Sequence, residues 1–418
     1  MSNVLVTNEI NTLKRVLIHR PDVGISRITP KRAEELLFDD IVHLPRMQEE
    51  HDVFSAILRR FLGDEQVLEV EQLLLEAIET DKDAKEEMID LIIDHEELPK
   101  SYSDFMRGLS APDLTRLLVT GYYEPEDHFF FDPIPNFIFT RDIAVTINDH
   151  LLITKAAKEA RYRENFIIRF IIWAHPVFSG MRKDGRVINL NKIDEFPPSR
   201  RGETVSIEGG DVMILNKDFL AIGCSERTTA YGIQSLAKRL FELGVVKNVV
   251  QVNIPNDRSY MHLDTIFTQI NTHDYVAFKP IIADGLGSNV QVFRHDGTET
   301  QYHSVKEFLI KEIDPATRIL YAGRGETPYQ EREQWTDGCN LVALKPGVAL
   351  TYDRNPVTEQ VFVEAGYRVV YSADLLKAFD DGILTPSEVE RTIITLPSTE
   401  LSRARGGSHC MTCPIERS

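Results

Sequence analysis

Residues 210–223 read GDVMILNKDFLAIG. A polar opening residue, Asp211, leads into an apolar run, a tight polar turn (Asn216-Lys217-Asp218) and a second apolar run. Two short apolar runs around an Asn/Asp-rich turn read as a β-hairpin. The unit recurs as RDIAVTINDHLLIT from Arg141, LDTIFTQINTHDYVAF from Leu263 and CNLVALKPGVALTYD from Cys339. The opening residues are Asp142, Asp211, Asp264 and Asn340. Cys410 follows at a comparable interval, ahead of a short strand-like tail. Helical segments are read at 160–175, 225–244, 305–313 and 355–366. In the last, Asn355 is the expected N-cap, Pro356 the first helical residue and Gly366 the terminator. The pattern reads as α/β: a ring of five strand-hairpin-plus-helix units, each aiming its first residue at a common centre.

The stretch 66–119 departs from this pattern. Its segments LEVEQLLLEAIET, DAKEEMIDLIID and APDLTRLLV repeat apolar residues at three- and four-residue spacing, as amphipathic helices do. Pro99 and Pro112 fall where helices break or begin. The expected organisation is an α/β body from 1–65 and 120–418, with an inserted helical bundle at 66–119.

Composition sets the class. At roughly 150 residues per domain, 418 residues make two to three domains, or one large domain with an insertion. Hydrophobic residues at 42% and charged residues at 27% are globular usage. A net charge of −18 opposes a general nucleic-acid binder, which needs a basic footprint. Four cysteines are too few for a disulfide scaffold. The first residues lack the apolar core of a signal peptide. No run approaches the ~18 apolar residues of a membrane helix; the most tempting, 166–173, is broken by Arg169. The expectation is a cytoplasmic protein with no nucleic-acid or membrane partner, and a homo-oligomer.

The C-terminus, SRARGGSHCMTCPIERS, holds Cys410 and Cys413 in a C-x-x-C. The tail is too short, and too close to Pro414, for the helix a redox pair needs. A structural zinc site would need a second ligand pair, and Cys224 and Cys339 are isolated. What remains is one nucleophilic cysteine or two inert ones. Gly406-Gly407 would let a loop bring Arg405 and Cys410 to a ligand. A cysteine nucleophile needs a proton-handling partner. His262 and Asp264 stand two apart in MHLDT and, in an extended strand, would project together. His409 would face the opposite side from Cys410. Glu208-Gly-Gly-Asp211 is either a polar turn or an acid placed to orient a histidine or a cation. Arg141-Asp142 is either a structural ion pair or a buried acid. Several acids around one cysteine suit a guanidinium, whose planar fork fits carboxylates pairwise.

In order along nearly the whole chain, LLFDDI, PNFIFTRD, KEARYRE, EGGDVM, CSERT, MHLDTIF, EREQWTDG and RGGSHCMTCPI resemble the arginine deiminase family of guanidine-modifying enzymes. The resemblance implies a fivefold pseudo-symmetric α/β propeller (pentein) with an inserted helical bundle. It also implies hydrolysis of L-arginine to L-citrulline and ammonia through an amidino-cysteine, with no cofactor and no metal. By resemblance Cys410 is the nucleophile, His262 the acid/base and Glu208 the acid that charges it. Asp142 and Asp264 would grip the guanidinium. Arg161, Arg227 and Asn136 would bind the α-carboxylate, and Phe139 and Leu37 would form apolar walls. Arg405 would be a gate, and Asp211 structural. Two departures stand out. Ala404 replaces a more glycine-rich loop and would restrict it, and 143–147 lacks expected polar and aromatic residues. Competing readings are an agmatine deiminase, whose substrate has no carboxylate for Arg161 and Arg227; an amidinotransferase; and a silent arginine-binding protein.

Overall fold

The computed structural model describes residues 4–418; the first three residues of the expected 1–65 segment lie outside it. The protein is mixed α/β, and one strand arrangement is used five times. In each case a first strand runs antiparallel to a second, and the second pairs parallel with a third. The triplets are Ala144–Ile147, His150–Ile153 and Val187–Asn189; Val212–Asn216, Phe219–Cys224 and Asn248–Asn253; Phe267–Gln269, Asp274–Ala277 and Arg318–Tyr321; and Val342–Lys345, Val348–Tyr352 and Thr392–Leu396. The fifth joins the two ends of the chain: Cys413–Arg417 lies against Leu13–Ile18, which pairs with Val67–Glu69.

Two-residue turns make the antiparallel step in three of the units and residues 270–273 make it in another, but a parallel step needs a crossover. Tyr162–Ala174, Ala230–Glu242, Pro356–Glu364 and Leu44–Leu62 lie in four of the crossovers. Asn355 stands at the expected cap position, but its side chain bonds Thr336 instead. The Glu333 carboxylate, from another helix, accepts the Val357 and Thr358 N–H groups at 2.9 and 2.7 Å. A buried acid thus does the capping that sequence assigned to a local amide. Gly366 does follow the helix end in the left-handed region, at φ +88°.

Helices Val70–Thr80, Lys82–His95, Ser101–Gly108 and Ala111–Thr120 occupy most of the stretch 66–119, which begins with the strand Val67–Glu69. Leu74, Ile89, Ile92, Leu114 and Leu117 share one buried cluster with Ile167, Ile168 and Ile171 of the first crossover helix. Each such side chain contributes about 1.5–3 kcal/mol by leaving water, so the helices rest on the α/β body through one apolar face. The run 143–147 is buried throughout, which accounts for its apolar character.

The turns that open the five first strands are tied to one another. Asp142 accepts the Gly210 N–H (2.9 Å), and Asp211 accepts the Leu263 N–H (2.9 Å). The Asp264 carbonyl accepts the Asn340 amide (3.0 Å), and Asn340 Oδ1 accepts the Cys410 N–H (3.1 Å). The Cys410 carbonyl accepts the Arg141 N–H (3.0 Å), closing the circuit. All of these residues are buried. No described helix is long and apolar enough to cross a membrane. The four cysteines are unpaired.

At the fifth sheet, His19 is buried between Glu69 (3.0 Å) and Asp22 (3.1 Å). Burial alone would lower its pKa, but hydrogen bonds to Asp22 and Glu69 outweigh it and raise the imidazole to about 10. The unfolded value is about 6.5. The charged histidine therefore stabilises the fold fully below about pH 6.5, and this contribution is lost as pH rises through about 10. His19→Gln should lower the unfolding free energy at pH 6 by on the order of 2–4 kcal/mol. Urea titrations should show the deficit shrinking towards pH 10. An equal deficit at both ends would mean the ring acts only by its shape.

Candidate active site

Cys410 lies in the turn before Cys413–Arg417, with its sulfur 3.3 Å from Asp264 Oδ2 and 3.1 Å from Asn340 Nδ2. Burial, then the charges of Asp264, Asp142 and Asp337, push its pKa well above the ordinary thiol value. Across the same space, His262 Nε2 is 2.9 Å from Glu208 Oε2, and its Nδ1 is 3.7 Å from Asp142. Burial opposes the imidazolium, but the Asp142 charge and the Glu208 hydrogen bond overcome it and hold His262 up at about 10. Burial likewise opposes the Glu208 carboxylate, but His262, Arg227 and Arg161 hold its pKa well below the usual range. The resting pair is a buried imidazolium–carboxylate.

Leu37, Asn136, Phe139, Asp142, Arg161, Arg227, His262, Arg405 and Cys410 line one cavity, together with Met261 and Thr265. Glu208 stands behind His262, and Asp264 behind Cys410. The cavity holds about 30 Å³. A single water needs roughly 10–15 Å³ of such space, so the pocket is closed to anything of amino-acid size. Leu37 and Arg227 also line an outer cleft of about 600 Å³, and so stand between the cleft and the cavity. Leu37 has φ +62°, a conformation that costs an L-residue on the order of 1 kcal/mol. Its segment is pinned by Arg258–Asp39 (2.7 Å) and Arg403–Asp40 (2.9 Å).

The two inward arginines are already engaged. Arg161 binds Asp142 (2.5 Å), Glu164 (2.7 Å) and the Asn136 carbonyl (3.1 Å). Arg227 lies 3.6 Å from Glu208. Asn136 gives its amide to the Leu36 carbonyl, tying the cavity wall to the Leu37 segment. Phe139 packs where a side chain on Gly406 would have to be, 2.4 Å away. Gly210 is required in the same way: a Cβ there would come within 2.7 Å of His262 and 2.9 Å of Asp142. Gly210 therefore lets backbone touch the two side chains, while Gly209 leaves room for the Arg141 carbonyl.

Several sequence readings change here. Leu263–Thr265 is a 3-10 turn, not extended strand, so His262 and Asp264 do not project together by alternation. They reach different partners, Glu208 and Cys410. His409 does not face away: residues 408–412 also turn, and His409 Nδ1 meets Asp264 Oδ2 at 2.9 Å. The left-handed residue of the loop is Arg405 (φ +61°), not Gly406 or Gly407. Ala404 ends an ordinary 3-10 turn, a conformation that needs no glycine.

Other side chains gave little or no signal in sequence. Glu9 accepts the Ile214 N–H and lies near Arg141 and His409. Burial would raise its pKa, but Arg141 and His409 bring it down to about 2. Trp335 carries the Arg405 guanidinium 3.4 Å above its ring, a contact worth about 0.5–2 kcal/mol. Asp337, two residues on, is buried, which pushes its pKa up to about 7 against the pull of Arg405.

Asp142, Glu208 and His262 offer one ligand atom each within 4.8 Å of one another, a spacing that could hold a metal ion. The donors are already matched to positive charge: Arg161 on Asp142, Arg227 and Arg161 near Glu208, and a proton on His262. A divalent ion would have to displace that proton and those guanidiniums, so the set fits an acid–base pair better than a metal.

A family model described as arginine deiminase matches residues 34–110 and 109–417. The arginine deiminase of Bacillus thuringiensis subsp. konkukian (strain 97-27) is 36% identical, over 99% of this chain and 98% of its own. That of Limosilactobacillus fermentum (strain NBRC 3956 / LMG 18251) is 35% identical, over 100% and 99%. Among solved structures, a cysteine-to-serine mutant of DDAH from Pseudomonas aeruginosa, complexed with citrulline, aligns with a TM-score of 0.51 at 14% identity, over 96% of this chain and 99% of that one. The product-bound N-terminal domain of ArgZ, a cyanobacterial arginine dihydrolase, gives 0.52 at 13%, over 97% and 98%. At these identities the structural likeness speaks for the fold.

The ion pair has a direct readout. A group whose folded pKa is raised keeps its charge up to that value. Imidazole NMR should therefore find His262 doubly protonated at pH 8 and titrating near 10. Glu208→Gln should bring the transition down. A wild-type transition near the ordinary 6.5 would contradict this geometry.

Proposed function

We propose, for a chain that belongs to the arginine deiminase family, the hydrolysis of L-arginine to L-citrulline and ammonia through a covalent amidino-cysteine. The observation that carries this reading is the closed cavity, with a cysteine sulfur on one wall and an imidazolium–carboxylate pair on the other. The five repeated strand triplets and the hydrogen-bonded circuit of their opening turns support a propeller closed around that cavity. The unpaired cysteines suit a cytoplasmic protein. A homo-oligomer is the assembly proposed.

In this mechanism the guanidinium lies between Asp142 and Asp264. Asp264 Oδ1 is buried without a hydrogen-bond partner and is available to accept a guanidinium N–H. The acids that raise the Cys410 pKa are the groups the substrate cation neutralises, so binding itself lowers the cost of forming the thiolate. As the guanidinium binds, the Cys410 thiol gives its proton to solvent, and the thiolate adds to the guanidinium carbon. His262 protonates the departing nitrogen, and ammonia leaves. Now neutral, His262 takes a proton from water, which adds to the same carbon. The C–S bond breaks, releasing citrulline and the Cys410 thiolate. Glu208 keeps the imidazole oriented throughout and stabilises its charged form before ammonia leaves and after water is deprotonated. Arg227, with Arg161 and Asn136, faces the α-carboxylate, and Phe139 and Leu37 flank the aliphatic chain. Admission of substrate requires the Leu37 segment and the Arg405 loop to move, because the cavity is closed around them.

Two measurements test this reading. Purified protein should release citrulline without added metal, and mass spectrometry of acid-quenched enzyme should find the arginine-derived adduct on Cys410. An adduct on Cys413, or activity that EDTA abolishes and a divalent ion restores, would overturn it. The second concerns the substrate tail. Losing one partner of a buried charged hydrogen bond costs on the order of 2–5 kcal/mol. Arg227→Leu should therefore lower kcat/KM for arginine more than about tenfold. The variant also removes a charge 3.6 Å from Glu208, which slows every substrate alike. The arginine-to-agmatine ratio isolates the carboxylate contact and should itself fall several-fold; an unchanged ratio would remove Arg227 from the tail site.

A further inference from the structure

Four residues open the hairpins, and three of them are carboxylic acids. The fourth is the amide Asn340. It is fully buried. Its Oδ1 accepts two backbone N–H groups, from His409 (3.0 Å) and Cys410 (3.1 Å). Its Nδ2 donates to the Asp264 carbonyl (3.0 Å) and points at Cys410 Sγ (3.1 Å). The two ends of the amide cannot be exchanged, since a flipped group would set N–H against N–H and C=O against C=O. The side chain is also boxed in: a Cβ on Gly407 would lie 2.7–2.8 Å from its atoms.

We infer that Asn340 is a catalytic residue of the same reaction, one that fixes the Cys410 backbone with its oxygen and stabilises the sulfur anion with its N–H. The inference rests on the reading of Cys410 as nucleophile.

The charges around the sulfur show why an amide is needed. Asp142, Asp264 and Asp337 all disfavour a thiolate. The nearby positive groups are committed elsewhere, His262 to Glu208 and Arg405 to the Trp335 face, and the His409 ring is held by Asp264 and Glu9. Asn340 supplies a neutral N–H donor within bonding distance of the sulfur. A carboxylate at this position would accept the same two N–H groups but would add a fourth negative charge and remove the donor. The amide also does a second job. By holding the Asp264 carbonyl, it joins the third and fourth units through backbone. That leaves the Asp264 carboxylate, unlike those of Asp142 and Asp211, with no backbone N–H to hold, and it turns to His409 and the sulfur instead.

Asn340→Asp is the decisive variant, because size and both accepted hydrogen bonds are kept. The readout is the pH profile of Cys410 alkylation by iodoacetamide, mapped by mass spectrometry, together with kcat and KM for arginine. The midpoint of alkylation should rise by at least about one pH unit, which is tenfold less thiolate at a given pH. kcat should fall more than about tenfold, with KM changing less. Asn340→Ser, which retains a short donor, should lie between Asp and wild type. If the variants do not fold, the wild type still decides the question. Its Asn340 side-chain N–H resonances should shift as the Cys410 thiol titrates. Resonances that ignore the thiol, or an Asn340→Asp protein with the wild-type alkylation profile and kcat, would overturn the inference. Full turnover in Cys410→Ala would instead sink the nucleophile reading, and the alkylation profile distinguishes the two failures.

Discussion

The structure depends on a closed circuit of buried hydrogen bonds among the turns that open its five sheets. Asp142 holds Gly210, Asp211 holds Leu263, Asn340 holds Asp264 and Cys410, and Cys410 holds Arg141. Buried polar groups are costly unless paired. Each opening residue finds a partner in the next unit, so the circuit supports the fold as well as framing the site. The same residues also meet at the cavity wall: the Cys410 sulfur lines it, and Asp264 and Asn340 hold that sulfur from behind.

Charge is arranged in pairs inside a chain whose net charge is −18. Arg161 joins Asp142 to Glu164, Arg227 stands by Glu208, and His262 carries a proton between Glu208 and Asp142. Asp264, Asp142 and Asp337 nonetheless weigh against a charge on Cys410, so the site is set against its own thiolate and in favour of a cation. In the proposed reaction this makes reactivity conditional on the charge of the substrate.

Closure follows from the same economy of space. Leu37 and Arg405 both sit in the left-handed region, and each is held by something outside its own turn. Ion pairs at Asp39 and Asp40 hold the Leu37 segment, and the Trp335 face holds Arg405. Such conformations persist where surrounding contacts over-determine them. They mark the two segments that must yield when a substrate enters.

The hairpins, the helices of 70–120 and the five opening residues were readable in the chain, because each depends on neighbours a few residues away. Asn-Asp turns, apolar alternation and helical spacing are local physics. The ordered motifs also identified the family, and the resemblance pointed to the cysteine, the histidine and the acids that the fold brings together. What local pattern could not supply was direction. His409 was expected to face away from Cys410 by strand alternation, yet a turn brings both to Asp264. Asn355 was expected to cap its own helix, yet Glu333 does so. Glu9 gave no signal at all, and its contact with His409 spans 400 residues of chain. Which atom of a buried side chain meets which partner is set by elements that are distant in sequence and adjacent only after the sheets have assembled. Sequence therefore determined the elements, the family and the chemical inventory, while the tertiary structure alone decided the orientation of each group and the closed circuit that holds them.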